Sequence, residues 1–229
     1  MLTRVLAVAL SALVALALLW IVWIAAQILW YRTHAPRETA FMAQRMEEAR
    51  TRNPKAQLRY QWVPYNRISP HLKRALIAAE DAKFVEHDGF DWDGIRKALE
   101  KNRRKGQIVS GGSTITQQLA KNLFLSPARS YARKAEEAVV TVLLELLLPK
   151  RRIYELYLNA IEWGNGVFGA EAAARRYFDA SAADLTAEQA ARLAAMTPSP
   201  RVFERNPGSD YLSGRVATIL ARMPGAAIP

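Results

Sequence analysis

The run from Val5 to Trp30 constrains this chain more than any other stretch. It is apolar almost throughout, interrupted only by Ser11 and Gln27. As a helix it reaches roughly 39 Å at about 1.5 Å per residue, more than the roughly 30 Å hydrocarbon core of a bilayer. Trp20, Trp23, Trp30 and Tyr31 gather toward its C-terminal end, in the manner of an interfacial aromatic belt. A cleaved signal peptide is the alternative. Its apolar region is normally only about 7–15 residues, and the candidate site Ala15-Leu16-Ala17 is followed by more apolar chain. The pattern predicts a single uncleaved membrane anchor. Charge alone leaves its orientation open, because Arg4 precedes the span while Arg32, Arg37 and Arg45 follow it.

The whole chain has 229 residues, enough for one domain with an appendage. Its 32 basic and 21 acidic side chains give a formal charge of +11. Such a balance suits an anionic partner: nucleic acid, a membrane surface or a phosphorylated substrate. No zinc pattern, aromatic RNA-recognition motif or helix-turn-helix signature accompanies the charge, and nucleic acid is set aside. Cysteine is absent, which excludes a disulfide framework and a thiolate metal site.

Past the anchor, Thr33–Arg67 is polar and punctuated by proline, with a helix expected over Glu38–Arg50. Ser69-Pro70 reads as an N-cap and first helical residue. Leu72, Ala75, Leu76 and Ala79 then form a buried stripe that delivers Glu80 to a helix end. Asp91 is positioned to cap the next helix, which stops at Gly106. That helix carries Arg96, Lys97, Lys101, Arg103, Arg104 and Lys105 against Glu100. Solvated surface is the default reading of the run, and contact with anionic headgroups is the alternative. A long helix is expected from Ser130 to Leu148, ended by Pro149. Its half from Val139 to Leu148 is apolar nearly all round, the pattern of a helix central to a core. Further helices are expected over Arg151–Asn159 and Phe168–Phe178, with a turn at Gly164-Asn165-Gly166 between them. Thr186-Ala187-Glu188-Gln189 is a capping box that opens another. No stretch shows convincing strand alternation. The expected class is mainly α.

Two segments carry the chemistry. Glu80-Asp81-Ala82-Lys83-Phe84-Val85-Glu86-His87-Asp88-Gly89 puts an acid pair, an aromatic and a histidine at a helix end. Gly111-Gly112-Ser113 then leads into a helix on which Thr114, Gln118 and Lys121 share one face, opposite Ile115, Leu119 and Leu123. A hydroxyl, a carboxamide and an ammonium in one stripe suit a hydroxyl-rich anionic ligand. The alternative is a capped amphipathic helix with a solvated face. Farther on, Glu137 sits among cations, with Arg133 four residues before it and Lys134 three. A carboxylate in a partly buried cleft can serve as a general base, while one held by arginine and lysine stays ionised and orients or stabilises. Two acids in two environments are what carbohydrate-active sites require. Lys121, Arg133 and Lys134 could neutralise a pyrophosphate leaving group. The plainer reading of Arg133 and Glu137 is a helix ion pair. That of His87 is a hydrogen-bonded structural histidine, since no second ligand stands at metal spacing.

These residues resemble the peptidoglycan glycosyltransferases, glycosyltransferase family fifty-one. The first signature, Glu-Asp-x-x-Phe-x-x-His-x-Gly, is matched by Glu80, Asp81, Phe84, His87 and Gly89. The second, Gly-x-Ser-x-x-x-Gln-Gln-x-x-Lys-Asn, is matched from Gly111 to Asn122. The third, Arg-Lys-x-x-Glu, is matched by Arg133, Lys134 and Glu137. A fourth is matched by Lys150, Ile153, Glu155, Tyr157, Leu158 and Asn159. The chain has no Ser-x-x-Lys and no Lys-Thr-Gly of a transpeptidase domain. Together with Glu162–Gly169 this is similar to the monofunctional biosynthetic transglycosylases of Gram-negative bacteria.

The resemblance implies a lysozyme-like, bilobal helical domain with a smaller membrane-associated lobe and one N-terminal transmembrane helix. The implied division is a short cytoplasmic end and anchor over residues 1–32, a juxtamembrane linker over 33–67 and the glycosyltransferase domain over 68–229. It implies polymerisation of lipid II into glycan strands by inverting transfer, with release of undecaprenyl pyrophosphate. Glu80 would be the catalytic base and Glu137 the second catalytic acid. Glu137, Arg133, Lys134 and Lys121 would hold the donor pyrophosphate, together with a divalent metal, Mg or Mn, where one is used. Thr114 and Gln118 would contact substrate, and Asp81, Phe84, His87 and Asn122 complete the implied binding set. Implied partners are lipid II, the growing strand, the membrane and other cell-wall synthesis and division proteins. The implied location is the bacterial inner membrane, with the catalytic domain periplasmic. A glycan-cleaving lysozyme-like enzyme and a non-catalytic membrane scaffold are the rival classes. The first would share the fold but not need the cluster Lys121, Arg133 and Lys134.

Overall fold

The computed structural model describes residues 1–107, 111–126 and 130–229. Its helices are α1 (Leu2–Tyr31), α2 (Ala40–Arg52), α3 (Pro70–Glu80), α4 (Trp92–Lys105), α5 (Ile115–Phe124) and α6 (Tyr131–Leu147), then α7 (Lys150–Ala160), α8 (Ala170–Phe178), α9 (Ala187–Met196), α10 (Pro200–Arg205) and α11 (Asp210–Arg222). The mainly helical expectation holds, and so do the caps read from sequence. Ser69 Oγ accepts from His71 N at 3.2 Å, with Pro70 at the first helical position. Asp91 accepts from Gly94 N at 2.9 Å, and Thr186 and Gln189 form the capping box of α9.

α1 is the one helix among the described residues long and apolar enough to cross a membrane. Most of its side chains up to Leu19 are exposed. Farther on, Trp20, Ile24, Ile28 and Tyr31 recur on one face and pack against the core of the body. Arg152 fixes the exit. Its Nε donates to Tyr31 O and its Nη2 to His34 O, each at 2.7 Å, which places a cation on carbonyls that the helix end leaves unpaired.

Residues 33–67, expected as a linker, are packed into the body. α2 lies on α5 and buries Phe41, Met42 and Met46. β1 (Arg59–Tyr60) enters a three-stranded sheet with β2 (Glu162–Gly164) and β3 (Val167–Phe168) in the order β1-β3-β2, parallel to β3, while β2 and β3 are antiparallel. Asn159 brackets Val63, accepting from its N at 2.9 Å and donating to its O at 3.0 Å. The sheet is a departure from the sequence reading. Strands of two or three residues are too short to show alternation, and both residues of β3 and all three of β2 are buried.

α3, α5, α7 and α9 carry most of the core. Alanines at 170, 173, 174, 190, 191, 194 and 195 are fully buried and let α8 and α9 pack closely. Trp163 is fully enclosed and donates Nε1–H to Leu193 O at 3.0 Å. α6 departs from expectation. Val140, Thr141, Leu144 and Leu148 face the core, but Val139, Val142 and Leu146 are exposed, Leu146 to 74%. Apolarity all round suits a helix buried in protein and equally one that faces lipid, and α6 lies beside α1. α4 buries only Ala98, and its basic run is exposed.

Gly169 joins β3 to α8 with φ +80°, and a Cβ there would meet Asn159 O at 2.8 Å. The contact is with backbone, which cannot swing aside. Gly169→Ala is expected to lose about 1–3 kcal/mol, combining left-handed strain with the close approach. Denaturant melts of the two proteins measure it; equal midpoints would contradict the reading.

Candidate active site

Glu80 is the last residue of α3 and points its carboxylate at two neutral donors. Gln118 Nε2 on α5 donates to Oε2 at 2.9 Å, and Thr197 Oγ1, at the end of α9, donates to Oε1 at 2.5 Å. Arg215 Nη2 on α11 stands 3.9 Å from Oε1. Tyr157 donates its hydroxyl to Gln118 Oε1 at 3.3 Å, which orients the carboxamide so that its amino group faces Glu80. Burial, and then the charge of Glu80, hold the Tyr157 phenol well above its ordinary value. It therefore stays a neutral donor.

Asp81 faces the other way. It is buried, its Oδ1 lies 2.9 Å from His87 Nε2, and its Oδ2 accepts from Ile115 N at 3.0 Å, the first N–H of α5. Phe84 is fully buried against Tyr154, with ring centroids 5.4 Å apart. Lys150 lies over the Phe84 ring, donates to His87 O at 2.5 Å and pairs with Glu145 at 2.9 Å. Asp81, Phe84 and His87, implied as substrate contacts, thus lie beneath the site and fix the position of Glu80. Thr114 is also displaced from its expected role. It is the N-cap of α5, 2% exposed, accepting from Gln117 N and donating to Gly89 O at 2.7 Å. The polar stripe on α5 therefore consists of Gln118 and Lys121. Asn122 is buried.

One turn of α5 separates the two acids' surroundings. Gln118 meets Glu80, and Lys121, three residues on, feels the charges of Glu137, Arg133 and Lys134. Glu137 is 3% exposed, and both its oxygens are engaged, Oε2 by Arg133 Nη1 at 2.6 Å and Oε1 by Lys134 Nζ. This is not an exposed helix pair. Removing one partner would strand a buried charge. The donor set does not by itself suit a divalent metal, since each carboxylate oxygen already holds a cation. Among the described residues no three His, Cys, Asp or Glu side chains cluster as metal ligands would.

The sequence model described as "Transglycosylase" matches residues 44–224. The chain belongs to the transglycosylase family. Curated relatives of the family cover it almost end to end. A biosynthetic peptidoglycan transglycosylase of Dechloromonas aromatica is 60% identical over 220 residues, 96% of this chain and 95% of that protein. One from Azoarcus sp. is 60% identical over 221 residues, 96% of this chain and 95% of that protein. One from Chromobacterium violaceum is 54% identical over 227 residues, 99% of this chain and all of that protein.

This transglycosylase brings two groups to Glu80 that sequence reasoning did not single out. Thr197 lies 117 residues from Glu80 in the chain and Arg215 lies farther still. Neither stands in a periodic pattern with Glu80, so no local signal could have found them. Glu145, which takes the Thr116 hydroxyl at 2.5 Å beside Lys150, also went unread, but it supports the start of α5 and does not reach Glu80.

Lys121 shows the electrostatic cost of gathering these cations. Burial is the largest influence lowering its pKa. Glu137 opposes this, while Arg133, Arg45 and Lys134 add to it. A lysine whose folded pKa is depressed binds its proton less well folded than unfolded. Stability therefore rises as pH climbs from the depressed value toward the ordinary one of about 10.4. Lys121→Met is expected to melt at a higher temperature than the wild type at neutral pH, with the gap narrowing as pH approaches that value. Melting curves across the alkaline range test this; a variant that melts lower at neutral pH would show that Lys121 is a net structural asset.

Proposed function

We propose that the chain polymerises lipid II into peptidoglycan glycan strands, with Glu80 as the general base. The observation that carries the reading is the contrast between its two acids. Glu80 is held by uncharged hydrogen-bond donors at the end of a helix, while Glu137 is locked between two cations. Glu80 takes the proton from the acceptor sugar's 4-hydroxyl. That oxygen then attacks the anomeric carbon of the growing chain from the face opposite the leaving group, and the configuration inverts. The bond to the donor's pyrophosphate breaks, and undecaprenyl pyrophosphate departs with its charge against Lys121, Arg133 and Lys134. Glu137 keeps those cations in place. Gln118 and Thr197 fix the carboxylate with one hydrogen bond to each oxygen, so that each oxygen keeps a lone pair for the acceptor.

Membership of the transglycosylase family and the apolar helix α1 support a membrane-anchored enzyme of the bacterial cell envelope. The orientation proposed is a short cytoplasmic end before α1 and a catalytic body in the periplasm, starting upstream of residue 68 because α2 and β1 are part of its packing. Other cell-wall synthesis and division proteins are the partners expected of such an enzyme.

Glu80→Gln keeps the size of the side chain but cannot accept the acceptor's proton. Polymerisation is expected to fall about 100- to 10,000-fold. Binding of a lipid II analogue should persist, because the donor cations are untouched. A folded, fully active Glu80→Gln protein would remove the mechanism. Charge-assisted contacts contribute about 1.5–3 kcal/mol, so Arg133→Ala should slow turnover by about one to two decades. A near-normal rate would confine Arg133 to its ion pair with Glu137.

A further inference from the structure

Arg45 lies on α2, in the stretch expected as a linker, yet the structure carries it to the donor end of the site. α2 lies on α5. Phe41 is wedged between these helices and β3, its ring 6.2 Å from that of Phe168 in an edge-on contact. The Arg45 guanidinium sits 4.7 Å above the Phe41 ring, and the Lys121 ammonium lies 5.7 Å from the same ring. Two cations from two helices thus approach one aromatic ring.

The guanidinium is held from behind. Its Nη1 bonds Glu48 at 2.9 Å, and its Nε lies 3.4 Å from Glu162. Glu162 is itself engaged by Arg201 Nε at 2.6 Å. The Arg45 Nε is buried and has no hydrogen-bond partner. An arginine whose Nη1 and Nε face two acids, and whose charge reaches Lys121, is organised to turn the rest of its fork to a further anion. The charge count points the same way. Lys121 feels three cations, Arg133, Arg45 and Lys134, against the single carboxylate of Glu137. That excess is costly in the free protein and is relieved by a ligand of high negative charge density.

We propose that Arg45 is a further donor-site residue, binding a phosphate oxygen of the lipid-linked pyrophosphate alongside Lys121. A planar guanidinium suits that role because it offers paired donors to phosphate. The inference rests on the donor site proposed above. It extends that site from α5 and α6 onto α2, so that the leaving group is gripped from two sides. Glu48, Glu162 and Arg201 act through Arg45 and position it.

The test compares Arg45→Gln and Arg45→Lys with the wild type and with Arg133→Ala, in lipid II polymerisation by the full-length membrane protein, at several salt concentrations. Arg45→Gln is expected to lower kcat/KM about ten- to a hundredfold. It should also flatten the decline of kcat/KM with salt, because one phosphate-binding charge is gone. Arg45→Lys should restore part of both. Melting temperatures identify loss that is merely structural. Arg45→Gln with the wild-type kcat/KM and salt response, beside an impaired Arg133→Ala, would overturn the inference and leave the donor site standing. So would a loss that follows the melting temperature and leaves the salt response unchanged. If Arg133→Ala were also normal, the donor site itself would fall, and the role of Arg45 with it.

Discussion

The carboxylate of Asp81 is the joint on which the site depends. One oxygen contacts His87 and the other accepts the first N–H of α5, so the end of α3 is spliced to the start of α5 by a single buried side chain. An ionised acceptor at a helix N-terminus is among the stronger local interactions available, and burial strengthens it. The splice sets where Glu80, one residue earlier, meets Gln118, four residues into α5. Behind it, Lys150 ties the carbonyl of His87 to Glu145 and Thr116, and Thr114 ties the carbonyl of Gly89 to the same helix cap. Gly89 itself must adopt φ +89°, and a Cβ there would meet Thr141 at 2.7 Å. The first signature therefore acts largely as a rigid mount, with Glu80 as the group it presents.

With Glu80 fixed on one side, α5 serves as a ruler. Gln118 and Lys121 are separated by about 4.5 Å of helix rise, and each answers to a different acid. This is how one residue type takes two roles. Glu80 receives hydrogen bonds from two neutral groups. Glu137 is neutralised by cations that cannot leave without stranding a buried charge. A base needs the first environment and a charge-holding anchor needs the second. The arrangement also explains why Glu137 is so thoroughly buried for an acid. Both its oxygens are taken by Arg133 and Lys134, whose side chains are more exposed, to 17% and 48%.

Much of this was legible in the chain because it is local. Caps, proline starts and glycine stops are written within a few residues of where they act. Ser69-Pro70, Asp91 and the Thr186–Gln189 box all appear where they were read. The ion pairs of Glu137 with Arg133 and Lys134 were legible for the same reason. Thr114 was misplaced because a threonine before a helix fits a cap and a polar stripe equally well, and only packing separates them. The small sheet was invisible because its strands are shorter than one full alternation. Thr197, Arg215 and Arg45 reach the site through packing between elements remote in sequence. α6 misled for a different reason. Apolar periodicity reports that a face avoids water, but it does not say whether protein or lipid covers that face.

That ambiguity bears on how the body is held. A tether that ended in a loose linker would let the catalytic body tumble, and a lipid-linked substrate would meet the site only at occasional orientations. Here the last turns of α1 are packed into the core, Arg152 grips the exit, and α2 and β1 continue without slack into the helix and sheet that flank α5. The anchor and the donor cations thus belong to one packed unit. Rigid attachment replaces a search over orientations with one geometry fixed by the fold, which is how positioning lowers an entropic barrier. Tyr31 and Arg152, far from Glu80, thus belong to the contacts that set the angle between α1 and the body. For the function proposed above, α1 would orient the body as well as tether it.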